Sequence, residues 1–129
     1  VGADVLTSFC AFSTRSVSSF TTAASGTASV ITVKGNSSPK IRNNIFSGSS
    51  SKPIIYVEKS APIIDNNNIT LGSSNAEVIG IHIYDHADPS ITNNVITGGA
   101  TTGENGKLSG IYVEFDSNPL IAYNTISLG

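Results

Sequence analysis

The sequence repeats one short pattern four times, and this repeat constrains the fold more than any other feature. Each copy has an apolar-x-apolar segment, a turn, and then Pro-x-Ile-x-Asn-Asn-x-Ile or a close variant. The first segments are 30–34, 54–58, 80–84 and 110–114, and the proline-led segments are 39–46, 62–69, 89–96 and 119–126. The four prolines recur at spacings of 23, 27 and 30 residues. Repeats of this length are typical of solenoids, in which each repeat stacks on the next.

Apolar side chains alternate with other residues at a period of two, which turns one set of them toward a shared core. Because the repeat is so regular, we expect equivalent positions of the four copies to lie directly above each other. Four aligned columns contain no charge: Ile31/Ile55/Ile81/Ile111, Val33/Val57/Ile83/Val113, Ile41/Ile64/Ile91/Ile121 and Phe46/Ile69/Ile96/Ile126. Each proline is expected at a strand entrance, since it donates no backbone hydrogen bond.

The second asparagine of each pair occurs in every copy, as Asn44, Asn67, Asn94 and Asn124. Asparagine tolerates the left-handed region that a sharp bend requires, and we expect these four residues to adopt it. Stacked side-chain amides can also satisfy buried polar groups from one copy to the next. The pattern therefore predicts an asparagine ladder.

Composition favours strands and turns over helices. The chain has 20 Ser, 12 Thr and 12 Asn, and Ile outnumbers Leu 16 to 5. β-Branched residues favour strands, whereas Ser and Asn favour turns. Hexapeptide units of a left-handed β-helix are absent, and a propeller blade needs ~40 residues. We predict an all-β chain, a right-handed parallel β-helix of about four to five rungs, where a rung is one circuit of the chain about the axis.

The repeat divides the chain into two parts. Rungs are expected near 28–48, 53–72, 78–98 and 108–129. Residues 1–27 do not match the repeat, and we predict an N-terminal cap or an irregular first rung there, because an open β-helix end exposes its core and strand edges. No polar capping segment follows the last rung. The chain is therefore expected to be a fragment of a longer β-helix, or to self-associate end to end through its C-terminal rung.

The repeat units 80–96 and 110–126 resemble the parallel β-helix repeat of the pectate-lyase-like superfamily. The resemblance covers residues ~28 to 129. It implies the β-helix fold, because the repeat is specific for that fold, and it implies little about activity, because one fold hosts many chemistries. Members of this superfamily are mostly secreted, periplasmic or surface-exposed, and many act on polysaccharides. The resemblance therefore implies an extracellular, periplasmic or cell-surface location.

Charge and hydropathy exclude several partners. The formal net charge of −2 gives no electrostatic reason to expect nucleic acid. No apolar run approaches the ~20 residues that cross a bilayer. The two histidines, His82 and His86, have no cysteine near them, which argues against zinc. We expect neither a metal nor a cofactor.

The outward positions of the first strand form the predicted ligand-binding surface. Thr32, Tyr56, His82 and Tyr112 make one column, and Lys34, Glu58, Tyr84 and Glu114 make the next. Aromatic faces stack on the C–H surfaces of sugars, and carboxylates accept hydrogen bonds from hydroxyl groups. The residues predicted to bind ligand are Tyr56, Glu58, His82, Tyr84, Tyr112 and Glu114. The alternative is that the tyrosines only pack across the strands.

The densest polar segment is 84–89, and stacking is expected to bring His86 near Asp116 on the next rung. A histidine between carboxylates can act as a general base, so Asp85, His86 and Asp116 are the candidate catalytic residues. The alternative, which we favour, is a bend built from turn-forming residues. No paired carboxylates of the kind used by glycosidases face one groove in the predicted register.

The pattern predicts a secreted or cell-surface β-helix module that binds or scaffolds without catalysis, and carbohydrate or another protein surface is the expected partner. The alternative is a polysaccharide-active enzyme of the lyase, glycosidase or epimerase type, or a fragment of one. The repeat is strong, whereas no catalytic set is convincing, and this contrast favours the binding module.

Overall fold

The computed structural model describes the backbone of residues 18–21 and all atoms of residues 29–48 and 51–129. The predicted cap at residues 1–27 lies outside the described residues, except for one strand at 18–21. Every regular element of the described residues is a strand: β1 (Ser18–Thr21), β2 (Ile31–Val33), β3 (Lys40–Arg42), β4 (Asn44–Gly48), β5 (Ile55–Glu58), β6 (Ile63–Asp65), β7 (Asn68–Ser74), β8 (Glu77–Tyr84), β9 (Ser90–Thr92), β10 (Val95–Thr101), β11 (Lys107–Val113), β12 (Leu120–Ala122) and β13 (Thr125–Leu128).

The strands form three parallel sheets, and each rung contributes one strand to each sheet. The first sheet has the order β2-β5-β8-β11, and the second has the order β3-β6-β9-β12. The third sheet has the order β1-β4-β7-β10-β13, so β1 adds a strand before the first full rung. This arrangement is a parallel β-solenoid of about four rungs, which confirms the predicted all-β fold.

All four predicted core columns are in register. Ile31, Ile55, Ile81 and Ile111 are successive ladder partners, as are the members of the other three columns. In the first three rungs these side chains are fully buried. In the fourth rung Ile121 and Ile126 are 44% and 45% exposed, because only the third rung covers them among the described residues. One rung cannot bury its inner face alone, and stacking supplies the core.

Each rung has two short corners, one before and one after its second strand, and the prolines lie at the first of them, where the sequence predicts. Pro39, Pro62, Pro89 and Pro119 each immediately precede the second strand of a rung. The carbonyl groups of Pro39, Pro62 and Pro89 accept hydrogen bonds from the next rung, for example from Ile63 N to Pro39 O at 2.9 Å. At this position the backbone carbonyl forms the hydrogen bond, so the N–H group that proline lacks is not needed.

The second corner contains the asparagine pairs. The second member of each pair is buried or half-buried and forms the predicted ladder: Asn44 Nδ2 donates to Asn67 Oδ1 at 3.1 Å, Asn67 Nδ2 to Asn94 Oδ1 at 2.9 Å, and Asn94 Nδ2 to Asn124 Oδ1 at 3.0 Å. The amide groups thus satisfy one another at a corner with little access to water.

The prediction that these ladder residues adopt the left-handed conformation is wrong. The positive φ angles belong to the first member of each pair, at Asn43, Asn66 and Asn93, and to Tyr123 in the fourth rung. The chain bends one residue earlier than expected, and the bend lets the following asparagine lie in the corner. The first asparagine is exposed or half-exposed and supplies the tolerance for positive φ.

The longest insertion in the repeat, residues 98–107, is half strand. Gly98 to Thr101 continue β10, and Lys107 to Ser109 begin β11. These extensions stack on the same extensions of the rung below, as in the pairs Ala100–Ser73 and Leu108–Val78. Only residues 102–106 lie between the two strands. The insertion therefore widens the third and fourth rungs by parallel pairing.

Candidate functional site

The outer face of the first sheet carries the predicted binding residues in the predicted register. Tyr56 pairs with Thr32 on one side and with His82 on the other, and His82 pairs with Tyr112. Glu58 is the ladder partner of Tyr84 in the neighbouring column. The stacked strands alone position these side chains, because equivalent outward residues lie about 4.8 Å apart across a sheet.

The rings pack against each other, edge to face for the most part. Tyr56 and His82 have ring centroids 5.3 Å apart at 83°, and His82 and Tyr112 lie 5.1 Å apart at 39°. Tyr84 stacks beside Tyr56 at 6.2 Å and contacts Phe115 at 4.9 Å. We name this group of five rings, Tyr56, His82, Tyr84, Tyr112 and Phe115, the aromatic cluster. The outward aromatic residues predicted to bind ligand form an interlocked cluster, since edge-to-face contact suits the ring quadrupoles.

Phe115 is the member of the cluster that the sequence reasoning missed. It occupies the first corner of the fourth rung, where Phe115 and Asp116 both have positive φ. Phe115 is 61% exposed even while its ring contacts Tyr84. The signal in the sequence was an aromatic residue at the corner position that Asp85 occupies one rung below. A positive φ at a phenylalanine is unfavourable, and such strain is often found at binding sites.

The Glu58 carboxylate is held by two partners. The Tyr56 hydroxyl donates to Glu58 Oε2 at 2.9 Å, and Lys34 Nζ lies 3.3 Å from the same oxygen. The bond from Tyr56 holds the pKa of Glu58 below its usual value, and the nearby ammonium group of Lys34 acts in the same direction. Burial, followed by the hydrogen bond to Glu58, raises the pKa of Tyr56. At neutral pH the pair is therefore a phenol beside a carboxylate.

The Glu114 carboxylate is held by the imidazole of the rung below. His82 Nε2 lies 2.6 Å from Glu114 Oε2, and both side chains are mostly buried. The two predicted carboxylates thus stand at opposite ends of the cluster with Tyr84 between them. Each is fixed in place before any ligand arrives, which lowers the entropy cost of using its second oxygen as an acceptor.

A pocket of about 410 Å³ adjoins the cluster on the first three rungs. Its lining includes Thr32, Tyr56, Pro53, Glu77 and Ile79. The pocket exists because the column has a small threonine in the first rung where the other rungs have rings. Its volume lies within the range of about 300–1,000 Å³ that is typical of small-ligand sites.

The candidate catalytic residues lie at the first corner, away from this pocket. His86 Nδ1 is 2.6 Å from Asp85 Oδ1, and His86 Nε2 is 4.0 Å from Asp116 Oδ2, so stacking brings the three together as predicted. The hydrogen bond from His86, and then that from Lys59, hold the pKa of Asp85 below its usual value. Both His86 and Asp116 are largely exposed. These three side chains lie close together, but they lack the buried setting that tunes most catalytic groups.

The part of the chain that the structure describes has neither a metal-binding group of side chains nor a membrane-spanning helix. Within residues 29–48 and 51–129 no three His, Asp or Glu side chains converge in the way a metal ion requires. The same residues include no helix with the length and apolarity to cross a bilayer.

Family comparison agrees with this geometry. The family described as a right-handed beta helix region matches residues 29–129, which include all four rungs. The chain belongs to the right-handed β-helix family. No curated protein and no solved structure matches the sequence. Membership of the right-handed β-helix family confirms the predicted resemblance and fixes the handedness of the solenoid.

Proposed function

We propose that the protein is a secreted or cell-surface β-helix module that binds carbohydrate on its aromatic cluster without catalysing a reaction. One observation carries the proposal: a connected group of five aromatic rings, of which Tyr112 and Phe115 are exposed, lies beside a pocket of about 410 Å³ and two fixed carboxylates. Aromatic rings contact the C–H faces of sugars, and carboxylates orient their hydroxyl groups.

The exposed end of the cluster supports this use. Tyr112 and Phe115 present large apolar surface to solvent in the fourth rung. Lys34, 5.4 Å from the centre of the Tyr56 ring, closes the other end of the cluster near the pocket. A sugar ring over Tyr112 or in the pocket has both apolar contact and hydrogen-bonding groups within reach. We propose a location outside the cytoplasm because members of the superfamily that the repeat resembles are mostly secreted, periplasmic or surface-exposed.

Titration calorimetry against a panel of neutral and acidic glycans tests the proposal. Tyr112→Ala and Phe115→Ala are expected to weaken binding of the active glycan by about tenfold, equivalent to roughly 1.4 kcal/mol each. Tyr123→Ala is the matched control, because this tyrosine is 86% exposed and lies at the second corner of the same rung. Equal affinities in all three variants would remove the cluster as the binding surface.

A second candidate function rests on the position of His86 between Asp85 and Asp116. In this alternative the protein is a polysaccharide lyase, glycosidase or epimerase, and His86 acts as the base. Release of unsaturated or reducing ends that disappears in His86→Ala would support it. An unchanged rate in that variant would assign any activity elsewhere.

The partner we propose for the fourth rung is a second copy of the chain. Ile121 and Ile126 of the core columns are half-exposed there, and neighbouring Leu120 is 62% exposed. Exposed apolar patches of this kind mark contact surfaces. Sedimentation velocity is expected to show association that rises with concentration and disappears in Ile121→Lys; a monomer at every concentration would refute self-association.

A further inference from the structure

A second surface, on the second corner, combines amide groups with exposed apolar side chains. The left-handed asparagines Asn43, Asn66 and Asn93 form one wall of a depression of about 380 Å³. Its other wall is the first outward column of the third sheet, Ile45, Asn68 and Val95, and its floor includes the buried ladder residues Asn44 and Asn67. We name the depression lined by these eight residues the amide trough.

The apolar members of this trough are exceptional in their rungs. Ile45 and Val95 are 44% and 39% exposed. They are the exposed large apolar residues of the described chain before residue 112, and both lie in the trough. They are one rung above and one rung below Asn68 in exact ladder register. Exposed apolar surface costs free energy, and its concentration at one depression is typical of a binding surface.

Some amide groups of the trough are already hydrogen-bonded within the protein, and others are available to a ligand. Asn66 Nδ2 donates to Asn43 Oδ1 at 2.6 Å, which holds both side chains along the wall. Asn93 Nδ2 donates to Asp65 Oδ1 at 2.9 Å. Asn68, on the opposite wall, is exposed and makes no side-chain hydrogen bond to any described residue. An amide offers two donors and an acceptor, so Asn68 can either donate a hydrogen bond to a hydroxyl group or accept one from it.

None of the described residues that line the trough is charged. An ionic ligand would lose hydration there without gaining a charged partner, which disfavours it. The ion pair that borders the trough, Arg42 Nε and Asp65 Oδ2 at 3.8 Å, consists of opposite charges, and its Asp65 carboxylate accepts a hydrogen bond from Asn93. The trough runs parallel to the solenoid axis, and its amide and apolar groups repeat at the strand spacing of about 4.8 Å. Its ligand therefore needs to be neutral, rich in hydroxyl groups and extended, with apolar C–H faces.

We infer that the amide trough binds a neutral glycan chain lying along the solenoid axis, with hydroxyl groups on Asn66, Asn68 and Asn93 and C–H faces on Ile45 and Val95. The trough lies at a different corner from the aromatic cluster and shares no residue with it. Each site can therefore be tested, and refuted, without the other. The trough gives the module a second point of attachment, and two points on one rigid scaffold raise the effective concentration for a long polymer.

The direct test observes the side-chain amides by ¹⁵N-correlated NMR during titration with neutral soluble glycans: linear β-glucan, xylan, mannan and dextran oligosaccharides. Polygalacturonate serves as the charged comparison. One neutral glycan is expected to shift the side-chain NH₂ signals of Asn66, Asn68 and Asn93 in a saturable manner. If no neutral glycan shifts these signals at millimolar concentration, or if only the charged polymer does so, the inference is wrong.

Variants locate the effect. Asn68→Ala is expected to weaken binding about threefold to tenfold through the loss of one or two hydrogen bonds, and Val95→Asp by more than about tenfold. Thr70→Ala and Thr97→Asp are the matched controls, because they lie two residues further along the same strands, outside the trough. Binding that falls equally in the controls overturns the assignment. Tyr112→Ala separates the two sites: NMR shifts at the trough persist in this variant if the trough acts by itself.

Discussion

The ladder residue Asn94 provides the sharpest test of what holds the rungs together. Its side chain is fully buried and takes part in four hydrogen bonds. Asn94 Nδ2 donates to Ile64 O at 2.9 Å and to Asn124 Oδ1 at 3.0 Å. Asn94 Oδ1 accepts from the backbone N–H and from the Nδ2 group of Asn67, both at 2.9 Å. Asn94→Ala removes all four bonds and leaves donors and acceptors buried on both neighbouring rungs.

The expected loss follows from these contacts. Four hydrogen bonds at about 0.5–1.5 kcal/mol each give a net loss of about 2–6 kcal/mol. The loss falls toward the middle of that range, at about 3–4 kcal/mol, because Asn67 Nδ2 keeps its bond to Ile41 O. Domains are stable by about 5–15 kcal/mol, so this single change removes a large share of the total.

Urea unfolding followed by circular dichroism measures the effect as a lower midpoint with an unchanged slope. Asn68→Ala is the control, since the same residue type is exposed there without a side-chain hydrogen bond, and it is expected to change stability by less than about 0.5 kcal/mol. Asn124→Ala should lie between the two, because its ladder bonds are only partly buried. If Asn94→Ala costs no more than Asn68→Ala, the ladder does not stabilise the solenoid.

Three further outcomes are expected. Gly80→Ala should destabilise by about 1–3 kcal/mol in urea unfolding, because an added Cβ would lie 2.5 Å from Gly110 O; an unchanged midpoint would contradict this close approach. Ile91→Ala should cost about 2–5 kcal/mol and Ile121→Ala clearly less, since only the former is fully buried; equal losses would contradict a core closed by stacking. The hydrogen bonds to Asp65 from Asn93 and then Thr92 lower the pKa of that carboxyl. Its contribution to the stability of the fold is therefore present above the unfolded pKa of about 4 and is lost as pH falls through the folded pKa. Tm should therefore fall more steeply between about pH 5 and pH 2 in the native chain than in Asp65→Asn, and parallel curves would refute this contribution.

Much of the fold was predictable because the repeat encodes its own register. Once Ile41, Ile64, Ile91 and Ile121 occupy equivalent positions, a shift of one residue would turn an entire column of apolar side chains to solvent. The outward column of Tyr56, His82 and Tyr112 follows from the same register. The local backbone conformation was harder to predict from the sequence. Adjacent asparagines are chemically identical, so sequence could not decide which one adopts positive φ.

Side-chain partners across rungs also escaped prediction, because they depend on rotamers and on corner geometry. Phe115 belongs to the aromatic cluster only because a left-handed corner turns its ring toward Tyr84. In the insertion at 98–107, residues 98–101 and 107 became strand because the rung below offered a paired edge.

The sequence by itself determined a parallel β-helix, its inward columns and its asparagine ladder, since a hydrophobic period of two and a repeat of 23 to 30 residues leave one efficient way to bury the apolar side chains. The tertiary structure alone decided which outward groups meet. The aromatic cluster and the amide trough each collect residues from three rungs, and their geometry exists only when those rungs are stacked at the spacing of a β-sheet.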